Sequence, residues 1–359
     1  MQSSEGTGIA VGGLFLAQTV PRLLGPLAGA VADRSDLRRL MIAADCGGAA
    51  LFALLALLPP FGMLLALAAA ASLLQAAYSP ARGAMIAGLV EPHEVPTAYA
   101  VENTAFNLQV AVGPVVGGLL VAAAGARWAL AVDAATFAAA AVLIARMRAG
   151  EPAREGGPRA SVVGDARDGV AYAMANPVAR AVTLSLLVAV AFLALDNVAL
   201  PFLVRDTLGG GAAAYGLASG AFGVGMLAAS LTLAFRPGRS PAAVYLTGLA
   251  TSGAGAIATG LAPAVGAAIA FEGAAGIGNG LENVADNTLI QRHVPRPMLG
   301  RVFGLVGSAA YAGQGLAALV GGVYLDLTSP RAVLVTGGLG GLGALALALR
   351  PLLRSERSG

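Results

Sequence analysis

The chain has 359 residues, of which 57% are hydrophobic and only 11% are charged, and its mean hydropathy is +0.77. Soluble domains carry about 25% charged residues, so a chain of this length and composition cannot cover its own surface in water. The net charge of +3 does not indicate a nucleic-acid partner, and the single cysteine, Cys46, excludes a disulfide framework or a cysteine metal site.

Eleven apolar stretches follow one another along the chain, and each is long enough to cross about 30 Å of hydrocarbon. We number these spans 2 to 12, for a reason given below. A mixed apolar and polar stretch at 161–176, between spans 6 and 7, predicts a short amphipathic helix lying on the membrane. The spans cover residues 8–31, 40–59, 62–90, 98–124, 127–146, 178–204, 213–235, 241–261, 264–290, 300–325 and 330–350.

The arginine distribution predicts the orientation of these spans. All 22 basic residues are arginine, and most lie in the loops on one side of the predicted membrane. Only Arg127, Arg205 and Arg331 fall in loops on the opposite side. The positive-inside rule makes the arginine-rich side cytoplasmic. We therefore predict a multi-pass protein of the inner cell membrane, with its C-terminus inside and its N-terminus outside.

The two halves of the chain repeat weakly. A shift of 204 residues places Gly118 on Gly322 and Arg82 on Asp286, and a shift of 208 places Gly8 on Gly216. The second half has a complete span ahead of its Tyr215-Gly216 pair, whereas the first half has only six residues before Thr7. This pattern predicts two related bundles, at 1–147 and 178–359, joined by a cytoplasmic linker at 148–177. The same comparison predicts that the first bundle, as this sequence begins, is short of its first helix, which is why the numbering begins at 2.

The loop between spans 2 and 3 carries an acid and several arginines after a run of small residues. It resembles the signature of major facilitator transporters, in which the cluster docks the two halves and locks the outward-facing state. Asp36 stands where many members have glycine, and this variant is similar to siderophore (enterobactin), macrolide and multidrug exporters. The alternative is a charge cluster that only sets topology. The matching residues are Gly29, Asp33, Arg34, Arg38 and Arg39.

Span 5 contains the sequence AVGPVVGGLL, which resembles the Gly-Pro signature of helix 5 in the same exporters. Small residues four positions apart permit close helix packing, and a proline interrupts backbone hydrogen bonding. The alternative is a set of general packing glycines. The resemblance implies an all-α membrane protein with the major facilitator fold and two pseudo-symmetric bundles. The residues concerned are Gly113, Pro114, Gly117 and Gly118.

Polar residues recur at steps of three and four along span 10, which predicts one polar stripe on one helix face. Span 4 repeats the pattern with Gln75 and Arg82. In the major facilitator family, helices 4 and 10 line the central cavity, so we expect the stripe to face water and substrate. The stripe in span 10 comprises Glu272, Gly276, Asn279, Glu282, Asn283 and Asp286.

Two acids in the outer halves of spans are candidate proton carriers: Asp196, beside Asn197 in span 7, and Glu272 in span 10. A carboxyl group in a low-dielectric cavity can be neutral or ionised, depending on its neighbours. Arg82 and Asp286, near cytoplasmic ends, are candidates for a charge network across the inner gate. The alternatives are packing hydrogen bonds for the two acids, and side chains that reach the lipid headgroups for the gate pair.

The resemblance implies a secondary transporter that exports drug-like or siderophore-like small molecules in exchange for protons, by alternating access, as a monomer in the lipid bilayer. It implies no enzyme activity, cofactor or metal ion. The sequence has no Walker motif and no lysine, which excludes a pump that binds ATP by itself. An uptake carrier of the same fold and a transport-inactive truncated protein are the alternatives.

We predict the membrane sidedness of two introduced cysteines, in a chain whose own cysteine is replaced by Cys46→Ser. An impermeant maleimide added to intact cells should label Ser329→Cys, in the loop between spans 11 and 12. It should label Arg154→Cys, in the linker, only after the cells are lysed. Labelling of the linker cysteine in intact cells would contradict the assigned orientation.

Overall fold

The computed structural model describes residues 7–19, 21, 35–57, 60–91, 94–147, 162–235 and 239–357. Within these ranges all regular secondary structure is helical, as predicted. Gly29, Asp33 and Arg34 of the signature loop lie outside the described residues, and so does most of the predicted linker, 148–161.

The helices of the first half overlap predicted spans 2 to 6, and for span 2 only the part up to Thr19 and residue 21 is described. Gly125 separates the last two of them and has a φ of 85°, a left-handed conformation that favours glycine. The helices are α1 (Thr7–Thr19), α2 (Leu37–Leu55), α3 (Phe61–Leu89), α4 (Val95–Ala124) and α5 (Ala126–Arg146).

The second half begins with the predicted linker helix and continues with predicted spans 7 to 12. Span 7 is discontinuous and consists of two α-helices and one π-helical turn. The elements are α6 (Val162–Ala175), α7 (Pro177–Leu193), α8 (Asp196–Phe202), the π-helix Leu203–Thr207, α9 (Ala212–Phe235), α10 (Pro241–Gly260), α11 (Val265–His293), α12 (Arg296–Leu327) and α13 (Pro330–Arg357).

Seven segments of the described chain are long and apolar enough to cross a membrane by these two criteria alone. Two shorter apolar stretches, Ala10–Thr19 and Val112–Ala124, lie within α1 and α4. The seven segments are Phe61–Gly83, Ala126–Arg146, Pro177–Thr207, Ala212–Leu233, Pro241–Gly260, Arg301–Leu327 and Pro330–Arg354.

The contacts divide the chain into two compact units. The first comprises residues 1–13, 107–118 and 160–359, and the second comprises residues 14–106 and 119–159. The predicted halves and linker, which were placed by the sequence repeat, remain a prediction.

The core of the first unit forms where α7, α10, α11 and α13 meet. Tyr245 and Leu249 of α10 are fully buried there, together with Leu352 of α13. Glycines bring the helices together. Gly276, which was predicted to belong to the polar stripe, packs against α9, because a Cβ atom at that position would overlap the carbonyl of Phe222. In a bilayer, where lipid tails are as apolar as leucine, such close packing drives helix association.

The linker helix α6 packs against α7 and α12 within the first unit. Its Asp168 forms an ion pair with Arg301 of α12 at 3.3 Å, and Ala173 is fully buried. Asn176, which follows the helix, donates a hydrogen bond to the carbonyl of His293 at 3.1 Å. The amphipathic helix is therefore present and its buried face is covered by protein, while its placement on the membrane remains a prediction.

In the second unit, α2 packs between α3 and α5. The rings of Phe52 and Phe137 stack with their centroids 5.2 Å apart. Gly47 and Gly48 admit the neighbouring helices, because a Cβ atom at Gly47 would lie 2.7 Å from a methyl carbon of Leu74. Met41 and Met85 are buried at the other end of the same packing surface.

We predict that Gly276→Ala lowers the melting temperature of the purified protein in detergent, because overpacking costs about 1–3 kcal/mol. The matched control is Gly113→Ala, where no described atom lies within 4 Å of an added Cβ. Alanine favours a helix over glycine by about 1 kcal/mol, so the control should be unchanged or more stable. Equal melting temperatures for the two variants would contradict the close crossing of α9 and α11.

Candidate functional site

The described residues of the signature loop form hydrogen bonds at the ends of helices. Asp36 is the N-cap of α2: its Oδ1 accepts a hydrogen bond from the backbone N–H of Arg39 at 3.1 Å. The Arg38 guanidinium donates through Nε to the carbonyl of Ile144 at 3.2 Å, and also to the carbonyl of Ala145. These carbonyls belong to the last turn of α5, where an arginine satisfies free acceptors and interacts favourably with the helix dipole. Asp36, treated above only as a departure from the family pattern, is thus explained by capping.

The Gly-Pro sequence of α4 lies partly at a helix crossing. A Cβ atom at Gly118 would lie 2.8 Å from the Cα atom of Gly216 on α9. At Gly216 a Cβ atom would in turn lie 2.5 Å from the carbonyl oxygen of Pro114. Gly113 and Gly117 face open space among the described atoms, so the crossing depends on only one glycine of the signature.

A second glycine crossing joins α1 to α12. A Cβ atom at Gly12 would lie 3.3 Å from the Cα atom of Gly322. The 204-residue shift maps Gly12 onto Gly216 and Gly118 onto Gly322, so the two crossings are equivalent under the repeat. The 208-residue shift that matched Gly8 to Gly216 is therefore the wrong register for this helix pair, because glycine-rich helices match by chance at steps of four.

Asp196 and Glu272 lie close enough for their charges to interact. Asp196 is the first residue of α8, and Glu272 is on α11 with a relative exposure of 2%. The hydroxyl of Tyr215 on α9 lies near the Ser219 side chain and within electrostatic range of both carboxyls. The structure thus brings the two predicted proton carriers into one polar cluster.

The same cluster contains polar atoms that lack a hydrogen-bond partner. Thr259 of α10 is fully buried. Its hydroxyl lies near the Glu272 carboxyl but does not form a hydrogen bond with it. Oδ1 of Asp196 is also buried without a partner among the described residues. Asn197 is not part of this cluster, since it is exposed and donates to the carbonyl of Ala194 at 3.3 Å. Such unsatisfied atoms are uncommon in proteins, and each calls for an explanation such as a bound water or ion or a functional role.

The break in span 7 positions Asp196. The last turn of α7 tightens, with the Leu195 amide bonded to the carbonyl of Phe192, and α8 then begins at Asp196. Pro201 has no N–H to donate, and the π-helical turn follows it. Discontinuous helices are where membrane transporters form sites for substrates and coupling ions. The acid, amide and proline within one apolar span were the sequence signal for this break.

The polar stripe of α11 is divided between two environments. Glu282 is buried at 3% exposure and accepts a hydrogen bond from Ser252 of α10, Oγ to Oε1, at 2.6 Å. Asp286 is also buried and accepts from the side chain of Asn287 at 3.0 Å. Asn283 is exposed. The stripe therefore does not face water as a whole, because Gly248 lets α10 approach closely enough to cover Glu282.

Two of the remaining predicted residues, Arg82 and Asn279, interact with neighbouring side chains. Arg82 forms an ion pair with Glu102 of α4, with Nη2 and Oε1 2.7 Å apart. Asn279 accepts from the side chain of Asn283 at 3.3 Å, and Gln75 is exposed on α3. A role of Arg82 and Asp286 in the inner gate remains a prediction.

The sequence analysis missed one buried acid, Asp45 of α2, whose exposure is 3%. An acid within an apolar span was the signal that could have revealed it. It also did not single out Tyr215 and Thr259, because hydroxyl residues are common in spans and only packing places them beside Glu272. In the described part of the chain, no three His, Cys, Asp or Glu side chains are arranged to hold a metal ion.

We predict that Ser252→Ala destabilises the protein in detergent by about 1–3 kcal/mol, because the buried Glu282 loses its donor. Asn283→Ala, on the exposed side of the same helix, is the matched control and should change the melting temperature little. Thermal unfolding followed by circular dichroism measures both. A loss for the control as large as that for Ser252→Ala would contradict the division of the stripe.

The sequence model of a family described as transmembrane secretion effector, of the major facilitator type, matches residues 4–358. No curated protein sequence matches the chain.

Solved structures share the fold. A mutant of the nucleoside transporter NupG superposes with a TM-score of 0.73 at 12% identity, covering 96% of this chain and 91% of that chain. A bacterial homolog of the human lysosomal transporter Spinster, inward-facing and unoccupied, gives a TM-score of 0.66 at 14% identity, covering 96% and 94%. At these identities the likeness concerns the fold alone, and it confirms the predicted major facilitator fold.

Proposed function

Because this chain belongs to the transmembrane secretion effector family of the major facilitator type, we propose that it exports small molecules across the cell membrane in exchange for protons. The chain is a multi-pass membrane transporter and not an enzyme. Direction, coupling ion and substrate class belong to the proposal, which takes drug-like or siderophore-like molecules as substrates.

The cluster of Asp196 and Glu272 is the observation that carries the proposed coupling. Two carboxyls from different helices lie within electrostatic range of each other, and one of them begins α8. Two negative charges in a poorly hydrated site repel each other, so binding one proton removes the repulsion. Hydroxyl groups both donate and accept hydrogen bonds, so Tyr215 and Thr259 can serve either protonation state.

The coupling step requires only that one proton binds and leaves. By the predicted orientation, Asp196 and Glu272 lie in the outer halves of their spans, so protons from outside reach them first. Binding of a proton changes the charge of the cluster by one unit. The α7–α8 break gives that change a movable element to act on, because a discontinuous helix can rearrange without losing a long run of backbone hydrogen bonds.

Substrate contacts are proposed for the polar side chains that stay accessible. Asn279, Asn283 and Gln75 can each donate and accept hydrogen bonds. Together with the acids, they favour an amphipathic or cationic molecule. In the same proposal Arg82 and Asp286 contribute to the inner gate, and the arginines of the signature loop stabilise the outward-facing state.

An uptake carrier of the same fold is the second candidate. The fold is shared with a nucleoside transporter, and fold alone does not set the direction of transport. Accumulation or depletion of a labelled compound in whole cells, compared with cells lacking the gene, distinguishes the two directions.

We predict that Glu272→Gln abolishes proton-coupled transport but not exchange. Inverted vesicles containing the protein should lose ethidium-dependent dissipation of an imposed pH gradient by about tenfold or more, a change equivalent to only ~1.4 kcal/mol in barrier height. Counterflow of ethidium at equal pH, which needs no net proton movement, should persist. Asp196→Asn should behave in the same way.

The matched control is Asp133→Asn, an exposed acid on α5 outside the cluster. It should retain coupled transport. Ethidium is the first probe because it is a lipophilic cation, and a panel of further cationic and neutral dyes follows. Full coupling in both Glu272→Gln and Asp196→Asn would contradict the proposed proton site.

A further inference from the structure

A groove lies between α9 and α10, at the helix ends that the predicted orientation places in the cytoplasmic leaflet. Both helices pack against α11, and the groove is lined by Leu233 of α9, Val244 of α10 and Leu281 of α11. Its volume is about 320 Å³. Ligand cavities in proteins measure about 300–1,000 Å³, so this groove suits a slender group rather than a bulky ring system.

The walls of this groove are apolar and accessible from outside the bundle. Leu233, Val244 and Leu281 are each half-buried, and Ala243, which also lines the groove, is exposed. On a spanning helix, an accessible apolar surface is in contact with hydrocarbon. An acyl chain is therefore the group that the groove would hold in a bilayer.

Two arginines stand at the cytoplasmic end of this groove. Arg239 lines it directly before Ser240, the N-cap residue of α10, and is exposed. Arg292 is also exposed and lies eleven residues after Leu281 on α11. Eleven residues correspond to three turns and about 20° of rotation, so Arg292 and Leu281 share one face of the helix.

The packing of α10 on α11 brings the two arginines to a similar depth. A Cβ atom at Gly248 would lie 2.8 Å from Cγ of Glu282, so these residues lie side by side on consecutive, antiparallel helices. Eight residues before Gly248 is Ser240, and eight residues after Glu282 is the last turn of α11. Arg239 and Arg292 therefore both lie at the cytoplasmic margin of the same helix pair.

No acid balances these two arginines in the part of the chain that the structure describes. Residues 208–271, which include α9 and α10, contain no Asp or Glu. On α11, Glu282 is buried and bonded to Ser252, and Asp286 is buried and bonded to Asn287. The positive charge beside the groove is thus available to an anion from outside the protein.

We propose that this groove binds one anionic phospholipid of the cytoplasmic leaflet. Arg239 and Arg292 hold its phosphate, and one acyl chain lies against Leu233, Val244 and Leu281. Guanidinium groups bind phosphate through paired hydrogen bonds, and basic pockets between spanning helices on the cytoplasmic side recognise anionic headgroups. The site is independent of the proposed proton coupling, and neither the family match nor the signature sequences assign it.

Native mass spectrometry of the purified full chain in detergent tests this site. The protein is incubated with equal amounts of phosphatidylglycerol and phosphatidylcholine that carry the same acyl chains, and wild type should retain phosphatidylglycerol in preference. Arg239→Gln/Arg292→Gln should weaken phosphatidylglycerol binding by about tenfold or more, because both charges that hold the phosphate are gone. The matched control, Arg180→Gln/Arg350→Gln, removes two exposed arginines from other helix ends of the same unit and should retain the preference.

A further variant tests the groove apart from the charges. Ala243→Phe fills the groove and leaves both arginines in place, and melting temperatures confirm that each variant is folded. This variant should also lose phosphatidylglycerol, whereas soluble glycerol 1-phosphate should not displace the lipid from wild type. Equal retention of the two lipids by wild type, or an equal loss in the control variant, would overturn the proposal. Unchanged binding by Ala243→Phe, or displacement by glycerol 1-phosphate, would also overturn it and would indicate a site for a soluble anion.

Discussion

Close packing of helices in the lipid bilayer, where no water is present to bond the backbone, is the constraint on which the structure depends. Each spanning segment must satisfy its own backbone hydrogen bonds, so the described chain is helical throughout its regular elements. The helices then associate by bringing backbones together at glycines. The crossings of Gly118 with Gly216 and of Gly12 with Gly322 fix the register of four helices, and the internal repeat relates one crossing to the other.

The same close packing decides what the acids can do. Gly248 brings α10 against Glu282, where Ser252 supplies its hydrogen bond, so this carboxyl is held within the bundle. Glu272 lies on the same helix but meets another acid and an unpaired hydroxyl. Glu282 thus has a hydrogen-bond donor of its own, whereas Glu272 has a second acid within electrostatic range, and this difference is why Glu272 is the proposed proton carrier.

Much of the fold was predictable, because helical spans are long and their signal is strong. The order of the spans and the linker helix follow from hydropathy and the polar stretch between the halves, whereas the division of span 7 at Asp196 was not predicted. The site was predictable only in part. Asp196 and Glu272 stood out as acids in apolar spans, but the sequence could not distinguish Glu282 from Asn283, since one residue of helical rotation separates a covered side chain from an exposed one.

The sequence by itself determined that this protein is an all-helical membrane protein with repeated glycine-rich spans, because hydropathy and charge placement act locally along the chain. Only the tertiary structure decided which polar groups come together. Ser252 lies 30 residues from Glu282, and Asp196 lies 76 residues from Glu272. Side chains so far apart in sequence come into range through the packing angles and glycine contacts of several helices, and helical periodicity alone carries no information about those.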